Sequence, residues 1–445
     1  MSDRREFLKT AGIGLAAIAA ASCGSKGAAQ SEDSGADIPS GNVVSTKDVL
    51  GNEIGLLGYG NMRWPKDEDG NIIQEDVNEM VDLALEHGVN YFDSSPVYHS
   101  GNSESATAAA LARHTRESYL IATKASVFSN PVTYEQGVKM YKKSLEIYNT
   151  DYIDYYLLHN LNDSASFKRR FIDNGLWDYF LHEKELGHIR QLGFSFHGKE
   201  KGFDELMALY DEGVHWDFVQ IQMNYLDWQH PTSRNTKAEH LYAELRKRDI
   251  PIIIMEPLRG GTLANLPASL ADRLKGMDPK RSAASWAFRF IAGKPGIVTI
   301  LSGMTYIEHL EDNLKTFSEI NPLTSEEEAT LLEIAEALDK FPLVRCTDCK
   351  YCMPCPYGID IPGIFKFYNN SVNEETYISS SEQKGYARAR RKFLAKYDKA
   401  VESARQADHC ISCSQCVKKC PQHIQIPKEM LRIDKYVENL KQGKL

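Results

Sequence analysis

Asn90–Glu104 reads NYFDSSPVYHSGNSE. An apolar run ends in a carboxylate, Asp93, and the loop that follows presents a phenol, Tyr98. Two later runs end the same way, YLIATK at Lys124 and YIDYYLLH at His159. Near-continuous apolar runs of this kind fit parallel strands buried on both faces. A polar group at the end of each strand points out of one end of the sheet. Asp, Tyr, Lys and His on successive strand ends therefore suggest one assembled proton-transfer site.

The same alternation extends in both directions. Strand-like runs are predicted at Ile54–Gly60, Asn90–Ser95, Tyr119–Lys124, Tyr152–His159, Ile189–Phe196, Asp217–Asn224, Pro251–Pro257 and Ile297–Gly303. Helix-period segments separate them, among them Asp76–His87, Tyr134–Tyr148, His240–Arg248 and Arg281–Ile291. Eight strand–helix units over residues 43–322 predict an α/β fold, a closed (β/α)8 barrel of the TIM type. A doubly wound open sheet is disfavoured because no GxGxxG opens a helix. In such a barrel chemistry sits at the C-terminal ends of the strands. Singly, Asp93 reads equally well as a cap, Lys124 as a surface lysine and His159 as a satisfied buried histidine. Together they suit carbonyl reduction. Tyr98 would donate the proton, Lys124 as ammonium would lower its pKa, Asp93 would hold Lys124, and His159 would hydrogen-bond the carbonyl oxygen.

Across its barrel the chain resembles the aldo/keto reductases. FDSSPVYHSGNSE, ATK and DYYLLH match the segments that carry that family's catalytic tetrad. The resemblance implies NAD or NADP lying extended across the barrel mouth and a small carbonyl or alcohol substrate, a sugar among the candidates. It also implies that Ser195 of GFSF and Gln220 of VQIQMN touch the carboxamide, with Asn224 supporting the pocket. Pro257, Leu258 and Gly260 of MEPLRGG would cover the pyrophosphate, and LSGMTYIEHLEDNL would hold the adenosine, ending at Asn313. Four positions depart from the family pattern. Phe196 stands where many relatives carry Asn, and Met255 where an aromatic ring often stacks on nicotinamide. Gly303 and His309 stand where NADP-preferring relatives carry Lys and Arg, and a 2′-phosphate wants fixed cationic donors.

Eight of the nine cysteines fall in two groups near the C-terminus. Cys346, Cys349, Cys352 and Cys355 precede Pro356; Cys410, Cys413, Cys416 and Cys420 precede Pro421. The second group is the bacterial ferredoxin run C-x2-C-x2-C-x3-C-P, and the first is one residue shorter before its last cysteine. Two [4Fe–4S] clusters are predicted. In the crossed arrangement one uses Cys346, Cys349, Cys352 and Cys420, and the other Cys410, Cys413, Cys416 and Cys355. The shortened spacing leaves open that Cys355 stays with its own group. Zinc sites would set their ligand pairs further apart, and disulfides are the alternative in an oxidising compartment. The helix-prone segment LTSEEEATLLEIAEALDKF, with a capping box at Thr324 and Glu327, is expected to bridge barrel and tail over 323–342. A mainly helical ferredoxin-type domain is expected over 343–445. Its basic run KGYARARRKFLAKYDKAVESARQ reads as a solvated helix or as a dock for an acidic redox partner.

At the N-terminus Arg4 and Arg5, followed by Phe7, Leu8, Lys9 and the apolar stretch Ala11–Ala21, resemble a twin-arginine export signal over 1–23. Ala20-Ala21-Ser22-Cys23 resembles a lipoprotein box, with a lipid anchor at Cys23; residues 24–42 read as a flexible linker. The expected location is periplasmic or membrane-anchored, and cytoplasmic if the signal is not used. That route exports folded, cofactor-loaded proteins, which agrees with the clusters. A net charge of -9 and the lack of a basic stripe argue against nucleic acid as a partner. A hydride carries two electrons and a cluster takes one. Three readings follow: an oxidoreductase whose clusters relay electrons, the same enzyme with structural clusters, and a binding or electron-transfer protein on a barrel scaffold with a weakened nicotinamide site.

Overall fold

A computed structural model describes residues 41–129, 131–231 and 236–445. The expected export signal, Cys23 and nearly all of the expected linker lie outside them. Among the described residues no helix is long and apolar enough to cross a membrane.

A two-stranded antiparallel hairpin, β1 (Ser45–Lys47) and β2 (Glu53–Gly55), precedes a closed barrel of parallel strands. The barrel runs β3 (Leu57–Gly60), β4 (Tyr91–Asp93), β5 (Leu120–Ala125), β6 (Ile153–Leu161), β7 (Ile189–Phe196), β8 (Val219–Gln222), β9 (Ile252–Met255) and β10 (Ile297–Ser302), with β10 pairing β3 to close it. The expected first strand, Ile54–Gly60, is thus two elements. Ile54 turns under the barrel with the hairpin and joins the interior cluster of Tyr91, Tyr155, Leu157, Phe218 and Ile253. A second, larger apolar layer lies between the strands and the surrounding helices. Gly193 on β7 is required by this packing, since a Cβ there would lie 2.3 Å from the Phe218 carbonyl oxygen.

The helix Ser325–Asp339 carries the expected capping box, Thr324 with Glu327. It does more than bridge: Leu331, Ile334, Ala335 and Leu338 are part of the barrel's own core. Beyond it three helices, Ile361–Asn373, Tyr386–Ala400 and Ile426–Gln442, enclose a separate core that includes Ile364, Phe365, Tyr397, Met430 and Ile433. The basic run forms the middle helix. It buries Phe393 and Tyr397 and leaves Arg391, Lys392 and Lys396 in solvent, because a 3.6-residue repeat separates an apolar stripe from a charged face.

Candidate active site and cysteine cradles

The parallel barrel gathers the predicted residues at the C-terminal ends of neighbouring strands. Asp93 ends β4, Lys124 lies one residue from the end of β5, and His159 lies near the end of β6. Lys124 Nζ donates to Asp93 Oδ1 at 2.6 Å and to the Ser94 carbonyl at 2.7 Å. Both side chains are almost fully buried. Burial pushes the Asp93 carboxyl up and the Lys124 ammonium down, and each is pulled back by the other's charge. Behind Lys124 a second buried carboxylate, Glu104, accepts from Thr123 Oγ1 at 2.6 Å and Ser144 Oγ at 2.8 Å.

Lys124 Nζ stands 5.1 Å from the centre of the Tyr98 ring, and the His159 ring meets that ring edge-on at 6.1 Å. The lowering expected from Lys124 is outweighed, and the phenol is pushed well up. Burial is the largest cause, followed by Tyr351, Asp93, Glu256 and Cys349. His159 is held neutral. Burial and then the charges of Lys124, His197 and Arg170 push it well below its usual range. Its Nδ1 lies 2.5 Å from Ser126 Oγ and 3.4 Å from Ser95 Oγ. Its carbonyl accepts from Arg170 Nη2 at 2.6 Å, while Arg170 also donates to the Asn160 and Val127 carbonyls. Sequence reasoning passed over Ser95, Ser126, Glu104 and Arg170. They are ordinary polar residues whose partners lie elsewhere in the chain, and only the SSP that follows Asp93 in the opening stretch carried a signal.

The residues expected at the nucleotide divide by what their polar atoms do. Ser195 Oγ accepts from the Asn160 N–H at 2.9 Å. Asn224 is committed to its own loop: it donates to Asp227 Oδ2 at 2.7 Å and to the Glu256 carbonyl at 3.0 Å. Asn313 donates to Ser302 Oγ at 2.7 Å. Gln220 Oε1 and Asn160 Oδ1 are buried without a hydrogen-bond partner among the described residues. In the Pro257–Gly260 loop Arg259 is 1% exposed, and its Nη1 is 2.9 Å from Asp227 Oδ1. This is a charge contact, and no guanidinium nitrogen makes a hydrogen bond among the described residues. Buried acceptors and donors left open in this way match a carboxamide at one end and a phosphate at the other. Gly260 has a positive φ of 64°, and a Cβ there would lie 2.5 Å from Thr347 Cα.

Thr347 belongs to the cysteine tail, and the tail lies on the barrel mouth. Arg63 donates to the Thr347 carbonyl. Arg345 donates to the His230 and Pro231 carbonyls at 2.7 and 3.1 Å. The Gln422 amide donates to Gln222 Oε1 at 3.1 Å. Cys346, Cys349, Cys352 and Cys420 line one cavity with Thr347, Lys350 and Gln422. Burial and the neighbouring Cys349, Cys420 and Cys416 raise the Cys352 thiol to about 12. Burial and Cys410, Cys413 and Cys355 raise that of Cys416 to about 11. No described cysteine is in a disulfide. Thiols that crowd one another away from ionisation are a donor set that a cationic cluster relieves, because the ligand form is the thiolate. Within the second group Cys420 is buried, whereas Cys413 is exposed beside Ile411, which is 60% exposed; the other six cysteines of the two groups are half-buried.

Comparison with known proteins agrees with both halves of the chain. A family described as "Aldo/keto reductase family" matches residues 56–336, and a "4Fe-4S dicluster domain" matches residues 345–425. An uncharacterized oxidoreductase, YqkF of Bacillus subtilis (strain 168), is 24% identical over 279 residues, which cover 56% of this chain and 84% of that protein. Among solved structures, the holo form of aldo-keto reductase AKR11C1 from Bacillus halodurans superposes with a TM-score of 0.52 at 21% identity, over 66% of this chain and 97% of its own. An aldo-keto reductase from Klebsiella pneumoniae in complex with NADPH gives 0.53 at 16%, over 68% and 98%. At these identities the structural likeness speaks for the barrel fold.

Proposed function

The chain belongs to the aldo/keto reductase family, and from that premise we propose an oxidoreductase that interconverts a small carbonyl compound and its alcohol at the Asp93, Tyr98, Lys124 and His159 strand ends. The observation that carries the reading is the buried Lys124–Asp93 pair at 2.6 Å with Lys124 5.1 Å from the Tyr98 ring centre. In this reading Tyr98 supplies the proton to the carbonyl oxygen. Burial keeps the phenol protonated until negative charge develops on that oxygen, and the adjacent ammonium stabilises the phenolate left behind. Asp93 fixes Lys124. Neutral His159, anchored through Nδ1 to Ser126, turns its other ring nitrogen to the carbonyl oxygen. Gln220, Asn160 and Ser195 hold the carboxamide of NAD or NADP, and Arg259 with Pro257, Leu258 and Gly260 holds its phosphates. A nicotinamide bound there supplies the hydride.

The crossed cysteine sets each hold a [4Fe–4S] cluster, Cys346, Cys349, Cys352 and Cys420 at the mouth, and Cys355, Cys410, Cys413 and Cys416 toward solvent. Clusters so held carry single electrons. A relay between a redox protein and the mouth would have to pass two single electrons for each hydride, and clusters that only stabilise the tail are the alternative reading. Arg4 and Arg5 ahead of Ala11–Ala21 support export by the twin-arginine route, with Cys23 as a lipid site.

Anaerobically purified protein should carry about eight iron atoms; zinc in their place would remove the clusters from the reading. Tyr98→Phe should lower carbonyl turnover by roughly 10²–10⁴-fold with NADPH affinity nearly unchanged. Parent-like turnover in that variant would take Tyr98 out of the acid role. Bleaching of the cluster absorbance on adding NADPH supports the relay, and full turnover in cluster-free protein would refute it.

A further inference from the structure

The two segments that carry the inner thiols also hold the barrel's mouth loops. Next to Cys346, Arg345 donates to the His230 and Pro231 carbonyls at 2.7 and 3.1 Å, in the loop after β8. The Thr347 carbonyl accepts from Arg63, in the loop after β3, and lies on Gly260, in the loop after β9, where a Cβ would come within 2.6 Å of that oxygen. Two residues past Cys420, the buried Gln422 forms a reciprocal amide pair with Gln222, at 3.1 and 3.4 Å. Gln222 in turn donates to Asp227 Oδ2 at 2.7 Å, as does Asn224. Asp227 Oδ1 lies 2.9 Å from Arg259 Nη1, the one ion pair of Arg259 among the described residues. A chain of buried polar contacts therefore runs from the segment after Cys420 to the guanidinium: Gln422, Gln222, Asp227, Arg259. Cys346, Cys349, Cys352 and Cys420 line the same cavity as Thr347 and Gln422. A group held by those four thiols ties the two segments together and so fixes the residues that touch the barrel.

We propose that Gln422 and Thr347 are positioning residues of the nucleotide site, so that occupation of the inner cysteine set and binding of the nicotinamide nucleotide favour each other. This rests on the reading that Arg259 holds the nucleotide's phosphates. Arg259 has no hydrogen bond to fix its plane among the described residues, so its aim depends on Asp227. Asp227 Oδ2 depends on Gln222 and Asn224, and Gln222 is held on its far side by Gln422. Thr347 supports the same loop through its contact at Gly260. A buried polar network is stiff while each member has its partners, and removing one partner loosens the rest. Coupling between two sites is reciprocal, so a nucleotide that settles Arg259 also steadies the thiol-bearing segments. The cysteine tail then has a part in nucleotide binding whichever role its clusters have in electron transfer.

The test uses the anaerobic holoprotein in equilibrium dialysis against NADP⁺ and NAD⁺, with iron counted in every sample. Gln422→Leu should weaken binding of the nucleotide the parent prefers by about fivefold or more, with iron content unchanged. A double variant, Gln222→Leu with Gln422→Leu, replaces both amides at once and leaves neither facing an apolar partner. It should show the same loss, and parent-like affinity in it overturns the proposal. In the reverse direction, the nucleotide should slow the loss of iron to a chelator from the parent and leave the rate from the double variant unchanged. Iron loss from the parent that is indifferent to bound nucleotide also overturns the proposal. If the parent binds neither nucleotide, the nicotinamide reading falls and takes the proposal with it. If the parent binds one and the double variant binds it equally well, only the proposal falls.

Discussion

The two ends of the barrel bury carboxylates in opposite ways. At the bottom Asp48, in the hairpin, accepts from the Leu50 and Asn52 N–H groups, the Asn52 amide, the Tyr155 hydroxyl and the Gln191 amide, all within 2.9 Å. At the top Asp93 leans on one lysine, and its Oδ2 has no hydrogen-bond partner among the described residues. Gln220 Oε1 and the Arg259 guanidinium share that condition. Satisfied buried groups rigidify a fold, whereas unsatisfied ones are costly and persist where a ligand completes them. The bottom is built for stability and the top for binding.

Substitutions can break or sharpen this contrast. The largest effect is expected from Lys124→Met, which strands Asp93 in the interior. Denaturant unfolding should show a loss of about 3–5 kcal/mol, together with loss of carbonyl turnover. Asp48→Ala leaves Tyr155 and Gln191 without their acceptor and should cost about 2–3 kcal/mol. NADPH binding by the folded fraction should be unaffected, and weaker binding there would erase the distinction between the ends.

Acid should act mainly on the top. Burial lowers His99 and His197 to about 4 and holds His159 well below its usual range. An unfolded histidine takes up a proton near 6.5 while these do not, so folding stability should fall as the pH drops from about 6.5 toward 4. Each histidine contributes at most ~1 kcal/mol per pH unit after discounting partial exposure. A flat pH profile of the unfolding midpoint over that range would contradict their neutral burial. The smallest effect is expected for Gln220→Glu, which keeps the side chain's volume and replaces an amide whose Oε1 has no hydrogen-bond partner among the described residues. NADPH affinity should fall by about tenfold at most.

Much of the site was legible because it rests on local rules. A strand end is visible as the last residue of an apolar run, so Asp93, Lys124 and His159 could be picked out before their register was known. Parallel pairing of β4–β5 and β5–β6 then gathered them at one end of the barrel, with Asp93 paired to Ala122 and Lys124 to Leu157, each two residues short of the next predicted group. The direction of the Tyr98 shift was not legible. It depends on Tyr351, Cys349 and Glu256, which reach Tyr98 from other parts of the chain. The first strand was misjudged because Ile54 and Leu57 are both apolar. A plug under a barrel and a strand in its wall bury the same kind of side chain.

The sequence by itself determined the eight-strand alternation, the identity of the four strand-end groups and the two cysteine runs. These are matters of period, spacing and chemical type. Only the tertiary structure decided where the cysteine tail goes. Arg63 meets Thr347 across 284 positions, and Gln222 meets Gln422 across 200. No periodicity encodes such contacts, because they come from two separate apolar cores packed against each other. That fit sets Cys346, Cys349, Cys352 and Cys420 around one cavity beside the barrel mouth.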